Sequence, residues 1–372
     1  MKNKNIKVII SGGGTGGHIF PAVSVANELK KNNENIEILF VGAEGKMEME
    51  KVPSAGYKII GLPVRGFQRK FSFQNISFFF KLYKSLRQAR KIIKNFKPDI
   101  VVGFGGFASG PVLRVASKKK IPTLIQEQNS YAGITNRILS KRVNKICVAY
   151  DDMDRFFPKE KIIITGNPVR QSLLEGKEKK NEAYTYFELQ GNKKTLLVVG
   201  GSLGALTINE SIGKNIEKII ENKIQLIWQT GKDYYSQGKA QVDKFNDAGI
   251  KVTEFITRMD LAYSISDVVI SRAGAITLSE LSLLCKSAIL VPSPNVAEDH
   301  QTKNAMALIK NNASMMVEDS EARDILVSSA VDLINDEFRL NVYKESIAKM
   351  GIKNSVEIIV EEIFKLIDID QE

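Results

Sequence analysis

The chain has 372 residues, of which 43% are hydrophobic and 26% charged, and a formal net charge of +11. That length predicts two domains instead of one, and the composition fits a soluble protein with sizeable cores. No run is apolar enough for a transmembrane span or a signal core. The charge is uneven. Residues 1–166 carry 29 Lys and Arg against 12 Asp and Glu, and the remainder 24 against 30. Only the first half is therefore suited to an anionic partner.

Ile6–Ile10 reads as a buried parallel strand and Pro21–Lys30 as a helix. Between them runs Ser11-Gly12-Gly13-Gly14-Thr15-Gly16-Gly17-His18. Its glycines let backbone amides approach a ligand, and the helix start adds a positive dipole end, which suits phosphate or another anion. His18 supplies a group that titrates near neutral pH. Gly12, Gly14 and Gly17 also satisfy the dinucleotide pattern. The acid that should close the second strand, Ile36–Val41, is represented only by a late Glu44. No Gly-Lys-Ser/Thr follows, so a P-loop is excluded, while a purely structural turn stays open.

Arg65 to Lys97 holds ten Lys and Arg and no acid. One reading is a helix with core positions Ile76, Phe79, Tyr83, Leu86 and Ile93 and a solvated basic back. The apolar content exceeds one stripe, however. The other reading is contact with an anionic lipid surface through Phe71, Phe73, Phe78 and Leu82, with Lys70, Lys81 and Lys84 beside them. Nucleic acid is the alternative anionic partner.

Strands at Ile100–Val102, Thr123–Gln126, Lys145–Val148 and Ile162–Thr165 alternate with helical patterns and predict a parallel sheet covered on both faces. Asp152-Met153-Asp154 fits the metal-binding Asp-x-Asp string but reads as a solvated loop. Cys147 and Cys285 read as reduced core residues, neither a disulfide nor a metal pair. Gly166-Asn167-Pro168 reads as a hinge. A second strand-glycine-helix unit follows, Thr195–Val199 into Gly200-Gly201-Ser202-Leu203-Gly204-Ala205. Further strands are expected at Gln225–Gln229, Lys251–Glu254, Val268–Ile270, Ala288–Val291 and Ser314–Val317. The acidic tail from Glu321 contains three helical patterns. Domains are expected at 1–166 and 167–350, with a helix in 351–372, Ser355–Ile367, packing back on the first.

Seven motifs stand in order along most of the chain: Gly13-Gly14-Thr15-Gly16-Gly17-His18, Gly103 to Pro111, Glu127-Gln128-Asn129, Gly166 to Arg170, Gly200 to Ala205, Ser271 to Ala275 and Glu298 to Ala305. Together they resemble the MurG family of bacterial glycosyltransferases. The resemblance implies an α/β GT-B fold of two Rossmann-like domains whose parallel sheets face a cleft. It implies transfer of N-acetylglucosamine from UDP-N-acetylglucosamine to the 4-hydroxyl of lipid I, with inversion, giving lipid II. It implies a peripheral protein on the cytoplasmic face of the bacterial membrane. Partners would be the donor, lipid I, the anionic membrane surface and other cell-wall synthesis and division proteins, with no nucleic acid and no cofactor.

Inversion needs one in-line attack by a hydroxyl that is a poor nucleophile at neutral pH, so a general base helps. His18 resembles the family's proposed base; a histidine capping its helix is the plain alternative. The departing UDP needs preorganised donors. Gly200, Gly201 and Ser202 offer amides and a hydroxyl, Arg170 a permanently charged fork, and Ala273, Gly274 and Ala275 close approach at a helix start. By resemblance, Glu280 accepts from the ribose hydroxyls, Ile256 holds uracil through its backbone, and Gln301 and Asn304 read the sugar. Thr15, Gly16, Gly17, Asn129, Ile276, Thr277 and Leu278 complete the donor set, and Gly13, Gly14, Gly105, Gly106 and Ser109 line the acceptor. Arginine and helix dipoles make a metal unnecessary. Competing readings are another UDP-sugar transferase, a nicotinamide-dependent dehydrogenase, and a nonenzymatic nucleic-acid or membrane-binding protein.

Overall fold

Short apolar runs bounded by glycine and polar residues become parallel strands where helices cover both faces. The computed structural model describes residues 5–64, 74–201, 204–245 and 249–369. Lys70, Phe71, Phe73 and Ser202 lie outside the described residues, as does the side chain of Phe78. Two compact units result, Met1–Arg170 with Ile352–Glu372, and Gln171–Gly351.

In the first unit β1 (Lys7–Ser11), α1 (Gly16–Asn32), β2 (Glu37–Ala43), α2 (Glu48–Ser54) and β3 (Lys58–Leu62) are followed by α3 (Gln74–Phe96) and β4 (Ile100–Gly103). Then come α4 (Ser109–Lys118), β5 (Thr123–Glu127), α5 (Ile134–Leu139), β6 (Lys145–Val148) and β7 (Ile162–Ile164). The strands are all parallel, in the order β3-β2-β1-β4-β5-β6-β7.

The second unit begins with α6 (Lys180–Phe187), β8 (Thr195–Val199), α7 (Leu206–Lys214), α8 (Ile216–Glu221), β9 (Gln225–Gln229), α9 (Lys232–Val242), β10 (Ile250–Thr253) and α10 (Met259–Ile265). It continues through β11 (Val268–Ser271), α11 (Ala275–Leu284), β12 (Ser287–Leu290), α12 (His300–Ile309), β13 (Met315–Met316), α13 (Ala322–Asn335) and α14 (Glu337–Ala348). Its sheet is again parallel, in the order β10-β9-β8-β11-β12-β13. In both sheets the order reverses beside the first strand. The loops after β1 and β4, and those after β8 and β11, leave the sheet there, where ligands of such folds bind.

The last helix, α15 (Ser355–Ile369), belongs to the first unit. Its Val356, Ile359, Val360, Ile363, Leu366 and Ile367 form one stripe. That stripe packs with Val8 and Ile10 of β1 and with Ile19, Ala22, Val25, Ala26 and Leu29 of α1. Ile9 points to the other face, among Ala89, Ile92, Ile93, Val112 and Leu113. Gly166 (φ 74°) admits the start of this helix, since a Cβ there would lie 2.5 Å from the Ser355 hydroxyl. The unit boundary falls after Arg170 and not after Gly166. Asn167 explains why: it accepts from Gln126 Nε2 at 2.9 Å and donates to the Gln128 carbonyl at 3.0 Å, tying the turn to β5.

Several expectations need correction. Helix α1 starts at Gly16, with Pro21 inside it. Tyr83 is not a core position of α3: it is 60% exposed and Phe80 72%, while Ser85, Ala89, Ile92 and Ile93 point inward. Cys285 is the left-handed C-cap of α11 (φ 54°) and is partly exposed. Cys147 is buried in the first core, and burial, with Glu362 secondarily, pushes its thiol up. Both thiols are free. Asp151, Asp152 and Asp154 are all exposed. Among the described residues no group of three His, Cys, Asp or Glu is placed to hold a metal, and no helix is long and apolar enough to cross a membrane.

Truncating Ile363, fully buried in α15, leaves a cavity against α1. Ile363→Ala is expected to destabilise the first unit by about 2–5 kcal/mol, read from hydrogen exchange of β1 and β4 amides in urea. A loss under about 1 kcal/mol would mean that α15 is a peripheral addition to this core.

Candidate active site

In the first unit the loop after β1 turns through Gly13 (φ 155°) and Gly14 (φ 87°) before α1 begins. His18, in the first turn of α1, is half-buried, and its Nδ1 lies 2.9 Å from the Gly13 carbonyl oxygen and 3.3 Å from Thr15 Oγ1. A carbonyl only accepts, so the shorter contact puts the proton on Nδ1 and makes Nε2 the basic nitrogen of the neutral ring. Nε2 lies toward the loop after β4: a Cβ on Gly105 (φ 90°) would be 3.0 Å from it. A Cβ on Gly106 would overlap the Gly13 carbonyl oxygen. Ser109 Oγ donates to the Gly106 carbonyl at 2.9 Å.

A third loop, after β5, joins these two. Glu127, 1% exposed, receives the Asn129 backbone and side-chain amides on Oε1, both at 3.1 Å. Its Oε2 receives Gly133 N at 3.0 Å and Asn136 Nδ2 at 2.9 Å. The Asn136 amide in turn lies 3.8 Å from the Cβ position of Gly105. His18, Thr15, Gly13, Gly14, Gly16, Gly17, Gly105, Gly106, Ser109 and Asn129 are thus gathered at the carboxyl ends of β1, β4 and β5. Arg170 is exposed at the end of this unit.

The second unit repeats the plan. Gly201 (φ 95°) follows β8, and Gly204 N donates to its carbonyl at 3.0 Å. Gln229, which closes β9 and is 2% exposed, donates to the same carbonyl at 2.9 Å and accepts from Ile256 N at 2.9 Å. One side chain therefore holds the glycine loop and the Ile256 segment together. After β11, Ala273 and Gly274 lead into α11, with Ala275, Ile276, Thr277 and Leu278 in its first turn. Glu280, 7% exposed, accepts from the Tyr263 hydroxyl at 3.1 Å. Gln301 Oε1 accepts from Ser293 N at 2.8 Å, and Asn304, 1% exposed, reaches the Ala273 carbonyl at 3.5 Å. Arg272 donates to the Val291 and Pro292 carbonyls and pairs with Asp319, whose other oxygen accepts from Thr207 Oγ1 at 3.0 Å.

Four residues that brace these loops carry weak sequence signals. Gln229 and Glu127 are polar residues at the carboxyl ends of β9 and β5, a position that in a parallel sheet opens onto the ligand side; Glu127 also opens the Glu127-Gln128-Asn129 motif. Arg272 lies inside the Ser271 to Ala275 motif and Tyr263 in α10 outside every motif, and only the fold shows what they hold.

Residues 8–148 match the glycosyltransferase family 28 N-terminal domain, and residues 195–360 match the family's C-terminal domain. The chain belongs to glycosyltransferase family 28. It is 55% identical, over 98% of its length and 99% of the relative's, to the UDP-N-acetylglucosamine--N-acetylmuramyl-(pentapeptide) pyrophosphoryl-undecaprenol N-acetylglucosamine transferase of Parabacteroides distasonis. To the transferase of the same name from Phocaeicola vulgatus it is 54% identical, covering 98% and 97% of the two chains. The crystal structure of Acinetobacter baumannii MurG matches with a TM-score of 0.75 at 29% identity, covering 97% of this chain and 99% of that one. A UDP-GlcNAc 2-epimerase from Neisseria meningitidis, bound to UDP-GlcNAc, matches with a TM-score of 0.65 at 20% identity, covering 97% and 100%, and shares the fold alone. The MurG resemblance of the motifs agrees with these relatives. The dehydrogenase and nonenzymatic readings fall away, and Glu44 has no nucleotide role to fill: it is exposed against β3, over Gly61.

Because a Cβ at position 105 meets the imidazole and sits at positive φ, Gly105→Ala should displace His18 without unfolding the unit. The expected result is glycosyl transfer lowered by about tenfold or more, a loss of part of a base's usual contribution, with a near-normal circular dichroism spectrum. Full activity in Gly105→Ala would show that His18 need not keep this place.

Proposed function

We propose that this family 28 enzyme transfers N-acetylglucosamine from UDP-N-acetylglucosamine to the 4-hydroxyl of the muramoyl sugar of lipid I, giving lipid II. The observation that carries the reading is the match, over nearly the whole chain, to relatives bearing that transferase name. The geometry of His18 is consistent with it.

In the proposed step the acceptor hydroxyl gives its proton to His18 Nε2, and its oxygen attacks the anomeric carbon in line. The bond from that carbon to the diphosphate oxygen breaks, and UDP leaves with the electron pair. The sugar inverts from α to β. The first unit holds the acceptor through Gly13, Gly14, Gly105, Gly106 and Ser109. The second holds the donor: Glu280 accepts from the ribose hydroxyls, the backbone of Ile256 meets the base, and the start of α11 faces the diphosphate. The N-terminus of a ten-residue helix preceded by Gly274 suits that charge. No metal or cofactor enters this reading, because arginine and helix dipoles offset the charge of the leaving group.

The deciding experiment supplies purified lipid I and UDP-N-acetylglucosamine and identifies the product by mass. His18→Ala should lower turnover by about 10²–10⁴-fold while donor affinity stays close to normal. Near-normal turnover would remove His18 from the chemistry. Activity should persist in a chelator; loss restored by a divalent ion would contradict the metal-free step.

Lipid I keeps its tail in the bilayer, so the enzyme must work at a membrane surface. Peripheral docking on the cytoplasmic face is supported by α3, where Phe80 and Tyr83 are exposed among Lys84, Arg87, Arg90 and Lys91. Each Lys or Arg near an anionic surface contributes about 1 kcal/mol, so binding is reversible and salt-sensitive. Phe80→Ser with Tyr83→Ser should weaken binding to anionic vesicles and spare transfer to a soluble short-chain acceptor. If vesicle binding is unchanged in that double variant, this face of α3 is not the docking surface.

A further inference from the structure

The carboxylate of Glu48, the first residue of α2, is fully buried. Its Oε1 accepts from Ala43 N at 2.9 Å, which fixes it to the end of β2, and its Oε2 accepts from Gly14 N at 3.0 Å. The N–H of Gly14 and the carbonyl of Gly13 belong to one peptide group. That carbonyl lies 2.9 Å from His18 Nδ1. Carboxylate, peptide and imidazole therefore form a single hydrogen-bonded line, Glu48 to Gly14 N–H, then Gly13 C=O to His18 Nδ1–H.

We propose that Glu48 is a positioning residue that sets the orientation and tautomer of His18 through the Gly13-Gly14 peptide. The reasoning rests on the proposed role of His18 as base. A peptide group is planar and stiff, so anchoring its N–H aims its carbonyl. Donating that N–H to a carboxylate also polarises the carbonyl and makes it a better acceptor. A firmly held acceptor keeps the proton on Nδ1 and the lone pair on Nε2. The arrangement does what a carboxylate does when it contacts a catalytic histidine directly, with one peptide inserted. The surroundings are shaped for it. A Cβ on Gly13 would overlap Glu48 Oε1, and one on Gly42 would lie 2.6 Å from Glu48 Cγ.

The chain has only two histidines, so the imidazole nitrogens of 15N-histidine-labelled protein can be resolved by NMR, with His18→Gln assigning the pair. In the wild-type enzyme above the titration of the ring, His18 should be the Nδ1–H tautomer. Glu48→Gln keeps the shape but turns an NH2 toward one of the two amides. It should mix or invert the tautomer, lower kcat by about 10–100-fold, less than loss of the base itself, and leave the donor KM nearly unchanged. An Nε2–H tautomer in the wild-type protein overturns the proposal and requires no variant to fold. Retention of the Nδ1–H tautomer in Glu48→Gln, or an unchanged kcat, overturns it as well. The spectrum needs no substrate, so it judges Glu48 separately from the lipid I assay, whose failure would count against the proposed reaction.

Discussion

Where the loops after β1 and β4 meet, the backbone of Gly106 passes so close to the Gly13 carbonyl that a side chain at position 106 would overlap it. Almost everything at the first unit's site follows from that approach. It exists because the sheet order reverses between these two strands, leaving two loops beside each other without a helix between them. Parallel strands with apolar residues on both faces force the chain to cross by helices, and every crossover brings polar groups to the same edge. Glycine is then required twice over, for positive φ and for space. The imidazole of His18 fills what the missing side chains leave open.

Loops this rich in glycine have little reason to hold one shape, and in each unit a buried polar side chain supplies the constraint. Glu48 and Glu127 do so in the first, Gln229 in the second. A buried carboxylate is costly unless its oxygens are met, and Glu127 receives four N–H groups while Glu48 receives one on each oxygen. The donors are backbone or side-chain amides, from the loops (Gly14, Asn129, Gly133), the end of β2 (Ala43) and α5 (Asn136). Removing either acid would take the shared acceptor from its amide partners, which costs stability and also frees the loops it ties. Gln229 works the same way with a neutral group, giving a donor to one segment and an acceptor to another.

Much of this was legible in the sequence. Both glycine loops, the alternation of strand and helix and the returning C-terminal stripe depend on local patterns of apolar residues and glycine, and those patterns are read directly. What escaped depended on contacts between distant segments. β3 is short, partly exposed and interrupted by Gly61, so it lacks the dense apolar run of the inner strands. Pro21 suggested a helix start, whereas the chain begins α1 five residues earlier, where glycines carry no propensity signal. Glu48 lies in a segment with no apolar period, and its partner Gly14 is 34 residues away. Tyr83 fits the stripe of α3 by spacing alone, yet the neighbours that decide its exposure belong to other elements.

The exposure of Tyr83 also bears on how one helix serves two ends. Toward its C-terminus, α3 buries Ala89, Ile92 and Ile93 in the core beneath the sheet, so that end is fixed to the fold. Farther back, Phe80 and Tyr83 turn outward among basic residues, and Arg87 lies 6.0 Å from the Tyr83 ring. An aromatic ring beside a guanidinium suits the boundary between headgroups and acyl chains, where the ring can bury and the charge can meet phosphate. Free solvent would reward the charges but not the rings. Because the helix is anchored in the same unit as His18, docking through it would hold the loops around His18 at a set distance from the bilayer. For an acceptor whose sugars stay at the surface, a rigid connection of that kind would confine the search for the hydroxyl to one layer, the effect of positioning and not of affinity.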